Sequence, residues 1–260
     1  MISVIITAFK EEKTIGRALE AILNEKLNEE IEIIVTCPDK PTAKVVTNYQ
    51  KKHKNIALIK DPGKGKPAAL NLTLKKTKGK IIVLTDGDVF IEKNSIANLI
   101  QPFKDKKVGA VSGRPISTNM RDTMLGYWSH LLTDVGAHET RKRLSENEKF
   151  IVCSGYFYAI RSGIIKSLDQ NALSDDAIIT SMIAKKGYKI KYAPNARVFV
   201  NYPTDLKDWF NQKRRSAGGY LQIKKMTGSN ITMRSFWKEI FGIFSVFSYS
   251  KNIEEFIWTI

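Results

Sequence analysis

Lys80-Ile-Ile-Val-Leu-Thr-Asp-Gly-Asp-Val-Phe90 is the stretch whose reading decides the fold. Its apolar first half reads as a buried strand, and it stops abruptly at Asp86-Gly87-Asp88. In open α/β sheets, ligands bind just beyond the carboxyl ends of the strands. Carboxylates delivered there suit a hard cation, because Mg²⁺ or Mn²⁺ prefers oxygen ligands shared with a substrate phosphate. Asp-Gly is also a common turn pair, so the tripeptide alone leaves a turn and a metal site both open.

Working outward, the same pattern repeats. Met1 to Thr7 and Ile31 to Val35 are apolar runs with strand character, and Ile56 to Ile59 is a shorter one. Between them Ile15, Ala18, Leu19 and Ile22 recur at helical spacing, and a polar helix is expected around Thr42 to Lys52. Asp61 to Pro67 is a loop by composition, with a helix expected from Ala68 to Lys76. A further helix carries Ile96, Leu99, Ile100 and Phe103. This order predicts an α/β fold with a mainly parallel sheet flanked by helices. Downstream the spacing predicts a strand at Val108 to Val111 and one long helix from Arg121 to Leu144. A strand at Tyr156 to Ile160 follows, then a helix starting near Ser174, two short strands around Ile190 and Val198, and a helix from Thr204 to Ile223.

A net charge of +16 over 260 residues calls for an anionic partner or a lysine-rich solvated surface. Hydrophobic content of 43% and charged content of 26% exclude a disordered chain. The two cysteines, Cys37 and Cys153, fit neither a metal spacing nor a disulfide framework and point to a reducing compartment. No leader pattern precedes the first strand, and no apolar run is long enough to span a bilayer, so a cytoplasmic protein is expected.

Several residues stand where chemistry is done. Asp39 and Asp86 end parallel strands, so both face one edge of the sheet and can accept from a nucleobase or ribose; Asp39 can equally belong to a Pro-Asp turn. Phe9 can stack on a base or pack in the core. Lys64-Gly65-Lys66 precedes a helix N-terminus, where backbone N–H groups and ammonium groups favour phosphate. The Walker spacing is absent, and so is a Gly-x-Gly-x-x-Gly after any strand, which removes support for a dinucleotide cofactor. Ser174-Asp175-Asp176 reads as an N-cap followed by acids that either complement the helix dipole or include a general base. Gln212 and Arg215 share a helix face beside Lys213 and Arg214, a phosphate clamp or a solvated basic face.

Taken together, these segments resemble family 2 glycosyltransferases of GT-A fold, especially the branch of cellulose, chitin and hyaluronan synthases. Thr7-Ala-Phe-Lys-Glu-Glu12 is similar to the family's strand-end Pro-x-Tyr-Asn-Glu, and Gly65-Lys66-Pro-Ala-Ala-Leu-Asn71 to its Gly-Lys-x-x-Ala-Leu-Asn. Asp86-Gly87-Asp88 takes the Asp-x-Asp position, Gly155 with Arg161 looks like the acceptor-side segment, Ser174-Asp175-Asp176 resembles Thr-Glu-Asp, and Gln212-Lys-Arg-Arg215 resembles Gln-x-x-Arg-Trp. The resemblance implies a Rossmann-like GT-A domain over residues 1–230, with a nucleotide-sugar half (1–110) and an acceptor half (111–230). It implies inverting transfer from a nucleoside-diphosphate sugar, a UDP-sugar favoured, to a hydroxyl of a glycan or lipid-linked glycan. Ala8, Phe9, Glu11, Asp39, Asp86 and Gly87 would hold the nucleoside end of the donor, and Lys66 would lie near the nucleotide. Asp88 would ligate Mn²⁺ or Mg²⁺. Asp176 would be the base with Asp175 beside it, and Gln212, Arg214 and Arg215 would close over the diphosphate. Ser216 stands where the synthases have tryptophan, and no spanning helices form an export channel, so transfer of one or a few sugars is expected rather than processive export.

Residues 231–260 read as an aromatic amphipathic helical appendage. Phe236, Trp237, Ile240, Phe241, Phe244 and Phe247 form one stretch, and Ile253, Phe256, Ile257 and Ile260 share a face. Such a face suits peripheral contact with a membrane through residues 235–260, a cover for the core, or a dimer contact. A sugar nucleotidyltransferase would need a Gly-rich phosphate loop after Ile2 to Thr7, and none is present. A basic nucleic-acid-binding α/β protein lacks any recognised module and would place acidic strand ends against phosphates, so no nucleic acid is expected; an inactive transferase-like scaffold would not need every charged position filled.

Overall fold

Six consecutive buried residues, Ile2–Thr7, form the first strand, β1, and their side chains leave it on alternate faces. Val4 and Ile6 join an apolar core with Ile33, Val35 and Val83, whereas Ile5 joins a second with Leu70, Ile82, Leu84 and Tyr158. A strand with core on both sides belongs at the centre of a covered sheet. The computed structural model describes residues 1–227 and 246–260. There β1 is followed by α1 (Ile15–Leu23), β2 (Ile31–Cys37), α2 (Lys40–Lys52), β3 (Ile56–Lys60), α3 (Lys66–Leu74) and β4 (Ile81–Asp86). Pro41 and Pro67 sit in the opening turns of α2 and α3, where a missing N–H costs nothing.

The chain continues through β5 (Phe90–Ile91), α4 (Ser95–Ile100), β6 (Val108–Ser117), α5 (Met124–Leu131), α6 (Thr140–Glu146), β7 (Phe157–Arg161), α7 (Asp175–Lys185), β8 (Lys189–Val200) and α8 (Leu206–Thr227). All eight strands lie in one sheet, in the order β3-β2-β1-β4-β7-β6-β8-β5. The first four pair in parallel, while β7 runs antiparallel to both β4 and β6. This is the mixed, mainly parallel α/β fold expected. Thr7 faces Thr36 on one side and Asp86 on the other, so the carboxyl ends of β1, β2 and β4 fall in line. That alignment builds one chemical edge.

Three details differ from expectation. The long helix is broken: α5 and α6 flank a π-helical stretch, Leu132–Glu139, that contains Gly136. Such wide turns shift the helix face and leave its continuation pointing elsewhere. The two short strands near Ile190 and Val198 are a single strand, β8, whose register against β6 slips between Ser112 and Arg114. The slip resets side-chain orientation, which the alternation pattern registers as a gap.

The third concerns the chain end. Phe236, Trp237, Ile240, Phe241 and Phe244 lie outside the described residues. The helix Ile253–Thr259 is docked on α5 by polar contacts. Arg121 forks onto Glu255 at 2.5 and 2.8 Å, Trp128 Nε1 donates to the Trp258 carbonyl at 2.6 Å, and the Tyr127 and Thr259 hydroxyls meet at 2.6 Å. Its apolar stripe, Ile253, Phe256, Ile257 and Ile260, is exposed. Among the described residues, therefore, that stripe does not cover the core. No helix among them is long and apolar enough to cross a membrane.

Glu255 is 4% exposed, and it is the residue that fixes this helix. Glu255→Ala leaves the Arg121 guanidinium unpaired and is expected to cost about 3 kcal/mol of docking. Loss of amide protection in residues 253–259 by hydrogen exchange checks this; unchanged protection would show that the aromatic contacts suffice.

Candidate functional site

β4 ends at Asp86, and its carboxylate is met from two directions. Thr7 at the end of β1 donates its hydroxyl at 2.7 Å, and Lys66 at the start of α3 places Nζ 2.7 Å from the same oxygen. Gly65 has φ +94°, a left-handed conformation that lets the chain turn sharply into α3 and aim Lys66 back at the sheet. Lys66 therefore faces carboxylates, while Lys64 remains exposed. The other side of Lys66 meets the Asp175 carboxylate at 3.8 Å, from the first turn of α7. Burial alone would lower the ammonium's pKa, but Asp175 and Asp86 together hold it above its usual range. One lysine thus ties β4 to the first turn of α7.

Asp88 follows the turn and is exposed. The protein around it and the charge of Asp86 keep its pKa above the ordinary carboxylate range. Between them Gly87 donates its N–H to the Thr7 carbonyl at 3.1 Å. A Cβ there would lie 2.1 Å from Glu11 Oε2, 3.0 Å from Ala8 Cβ and 3.1 Å from Ile15 Cδ1, so a side chain fits only if Glu11 and its neighbours shift. Glu11 is pushed up to about 8, by burial first and then by Asp88 and Asp86. Its Oε2 is shielded without a hydrogen-bond partner. Four carboxylates crowd this edge and one ammonium offsets them.

Asp39 caps α2, accepting from Thr42 N–H at 3.0 Å, and also accepts from Lys10 N–H at 3.0 Å. Burial would raise its pKa, but these donors outweigh it and hold it low. Ala8 is buried at the same edge, and Phe9 beside it is 59% exposed, with no role in the core.

In the first turn of α7, Asp176 is pushed up to about 6, by burial first and by Asp175 second, with Lys66 and Arg141 pulling the other way. Gly155 lies against it: a Cβ would come 3.0 Å from Asp176 Oδ2. Ser174 stands at the N-cap position of α7, but its side chain makes no capping hydrogen bond. α8 packs closely against it: a Cβ on Gly219 would fall 2.0 Å from Ser174 Oγ. Gln212 on α8 reaches the site through Tyr156, donating to its hydroxyl at 3.2 Å. Arg214 and Arg215 are exposed on the same helix.

Arg161 is not part of this arrangement. It pairs with Ile81, at the opposite end of β4 from Asp86. Its guanidinium donates to the carbonyls of Phe103, Asp105 and Val108 at 3.1 Å each. Because β7 runs antiparallel to β4, its last residue falls beside the start of β4, and the guanidinium expected on the acceptor side is engaged there with backbone carbonyls. Sequence reading missed Thr7, Tyr156 and Tyr158. The Tyr158 hydroxyl is fully buried and unpartnered, and its pKa is held well above the usual range by burial, then by Asp175 and Asp176. A tyrosine amid a strand's apolar run gives no signal of such a neighbourhood.

Residues 1–219 match the model of the glycosyltransferase-like family 2. The chain belongs to this family. A relative described as probable glycosyltransferase YdaM, from Bacillus subtilis (strain 168), is 30% identical over 236 residues, 86% of this chain and 56% of its own length. A poly-beta-1,6-N-acetyl-D-glucosamine synthase of Staphylococcus epidermidis is 25% identical over 246 residues, 92% of this chain and 57% of its own. The chain thus spans a little over half the length of these relatives. Mannosyltransferase PcManGT from Pyrobaculum calidifontis, solved with GDP-Man and Mn²⁺, has a TM-score of 0.71 at 19% identity, covering 99% of this chain and 72% of that one. S. aureus TarS 1-349 with UDP-GlcNAc gives 0.64 at 14%, covering 99% and 79%. The chain shares the fold of these neighbours.

Gly87→Ala drives a methyl group into Glu11 and Ala8, and is expected to destabilise the domain by about 2–3 kcal/mol. Chemical denaturation checks this. A variant as stable as the parent would mean that the Glu11 carboxyl moves freely.

Proposed function

We propose that the chain transfers a sugar from a nucleoside-diphosphate sugar, a UDP-sugar favoured, to an acceptor hydroxyl, with inversion at the anomeric carbon. The observation that carries this reading is Lys66, which holds Asp86 of β4 and Asp175 of α7 beside one cleft edge. Neighbours of the same fold were solved with GDP-Man and with UDP-GlcNAc, which supports a nucleotide sugar as donor. On this reading Phe9 offers a stacking face, and Asp39 and Asp86 take the base and ribose. Gln212, Arg214 and Arg215 approach the diphosphate from α8.

Among the described residues no group of three or more His, Cys, Asp and Glu side chains could hold a metal ion. Mg²⁺ and Mn²⁺ nonetheless bind through one or two carboxylates when phosphate oxygens complete the shell. The exposed Asp88 carboxylate, with Asp86 already engaged by Lys66 and Thr7, fits that shared mode. When bound, the cation would neutralise charge on the leaving diphosphate.

Asp176 takes the proton of the attacking hydroxyl. Its neighbour Asp175 is occupied with Lys66, and this divides the acidic pair into a base and a holder. A base with a pKa near 6 is ionised at neutral pH yet basic enough to accept a proton as the bond forms. Attack opposite the departing phosphate requires no second nucleophilic carboxylate. The acceptor is a glycan or a lipid-linked glycan, and contact with a membrane surface would run through residues 246–260, whose stripe is exposed.

Asp176→Asn should lower turnover by about 10²–10⁴-fold with donor binding nearly intact. Only the ionised form accepts a proton, so the parent's kcat/KM should fall about tenfold per pH unit below about 6. Steady-state kinetics check both, and undiminished turnover in the variant would end the base assignment. A thermal-shift panel of UDP- and GDP-sugars with Mn²⁺ tests the donor reading: stabilisation should vanish with chelator and in Asp88→Ala. No shift with any nucleotide would refute it.

A further inference from the structure

Arg141, the second residue of α6, enters the site described so far only through its charge, which opposes the rise in the Asp176 pKa. Its Nε donates to the Val152 carbonyl at 2.9 Å. NH1 is shielded from solvent with no hydrogen-bond partner, and no ion pair among the described residues includes this guanidinium. Leaving a shielded charged donor unpaired costs free energy that a merely structural arginine would recover from a carboxylate.

Its position links it to the acceptor side. Val152 lies shortly before Gly155, the residue against the Asp176 carboxylate. Cys153 N–H donates to Thr180 Oγ1, which in turn donates to the Asp176 carbonyl at 2.6 Å. The segment holding Arg141 and the turn holding Asp176 are therefore one unit. A second guanidinium repeats the pattern: Arg114 pairs with Asp134 at 3.4 Å, but its Nε is also shielded and unpartnered. The Tyr192 hydroxyl meets His138 Nδ1 at 2.9 Å; burial raises its pKa, while the charges of Arg141 and Arg114 both oppose this. Lys142 and Arg143 follow Arg141 and are exposed. The acids on this side are Asp134, shared between Arg114 and the Tyr249 hydroxyl, and Asp176 itself.

We propose that Arg141 receives an oxyanion carried by the acceptor, a phosphate or a carboxylate group. A guanidinium fixed by one bond, with its remaining donors unused, is pre-set for the forked contacts that oxyanions accept. The flanking cations raise the local concentration of such acceptors. The assignment rests on Asp176 marking the acceptor side of the cleft.

The test uses the full chain saturated with UDP and Mn²⁺, so that phosphate cannot report on the donor site. Inorganic phosphate is titrated while the arginine Nε–Hε signals are followed by NMR, that of Arg141 being identified by its loss in Arg141→Lys. The Arg141 signal should shift and saturate. Arg141→Gln should weaken phosphate binding about tenfold or more, the loss expected of a charge-assisted hydrogen bond, and Arg141→Lys by less. Glycerol phosphate and methyl glucuronide then separate phosphate from carboxylate acceptors, with methyl glucoside as the neutral control. Because Arg141→Gln could unfold locally, protection of Arg141 from phenylglyoxal by phosphate is measured in the parent chain. Absence of any shift or protection, or equal phosphate binding by Arg141→Gln, would overturn the proposal. Failure of the donor reading would show separately, as no UDP-dependent thermal shift, and the Arg141 signal would still be readable.

Discussion

A single ammonium group sits between carboxylates that belong to different parts of the chain. Lys66 Nζ lies 2.7 Å from Asp86 and 3.8 Å from Asp175. At such separations a pair of unit charges interacts by about 4 kcal/mol in the partly screened environment near a protein surface. That exceeds the penalty of half-burying one lysine, so the ammonium stays charged. Without it, Glu11, Asp86, Asp88, Asp175 and Asp176 would face one another with little to offset their repulsion. Glu11 is still pushed up to about 8 and Asp176 to about 6, by burial first and by neighbouring carboxylates second. Such crowding is costly for folding and useful where a cation, a diphosphate and a proton must be handled.

Backbone approach makes the crowding possible. Gly87 lets the β4 turn lie on Glu11, Gly155 lets the chain pass under Asp176, and Gly219 lets α8 rest on Ser174. Each is a place where a methyl group would collide with a functional or positioning side chain. Gln222 strengthens the last of these contacts by bonding the Leu173 N–H and the Asn171 carbonyl. The first turn of α7 is thus fixed from two sides, by Lys66 and by α8. The acidic turn is held without a capping bond from Ser174.

Much of this was legible in the sequence. The alternation of short apolar runs with helical spacing gave the parallel first half, because a strand buried on both faces must be continuously apolar and β1 and β4 are. Asp39, Asp86 and Asp88 were legible as strand-end carboxylates for the same reason: a charge that abruptly ends an apolar run must lie at the sheet edge. Pattern failed at α5 and α6, where a π-helical stretch changes the face without changing composition, and at β8, where a register slip breaks the alternation. It failed again at Arg161, since strand direction decides which edge a terminal residue occupies.

The sequence by itself determined which residues end strands and begin helices, since burial and backbone hydrogen bonding leave few local choices for such runs. It also determined that Asp86-Gly87-Asp88 closes a strand at the edge where ligands bind. Only the tertiary structure decided what each carboxylate does. Asp175 and Asp176 are indistinguishable in the chain, yet one meets Lys66 and the other lies under Gly155. Electrostatic environment is a property of groups brought together from distant positions, and spacing along the chain carries no record of it.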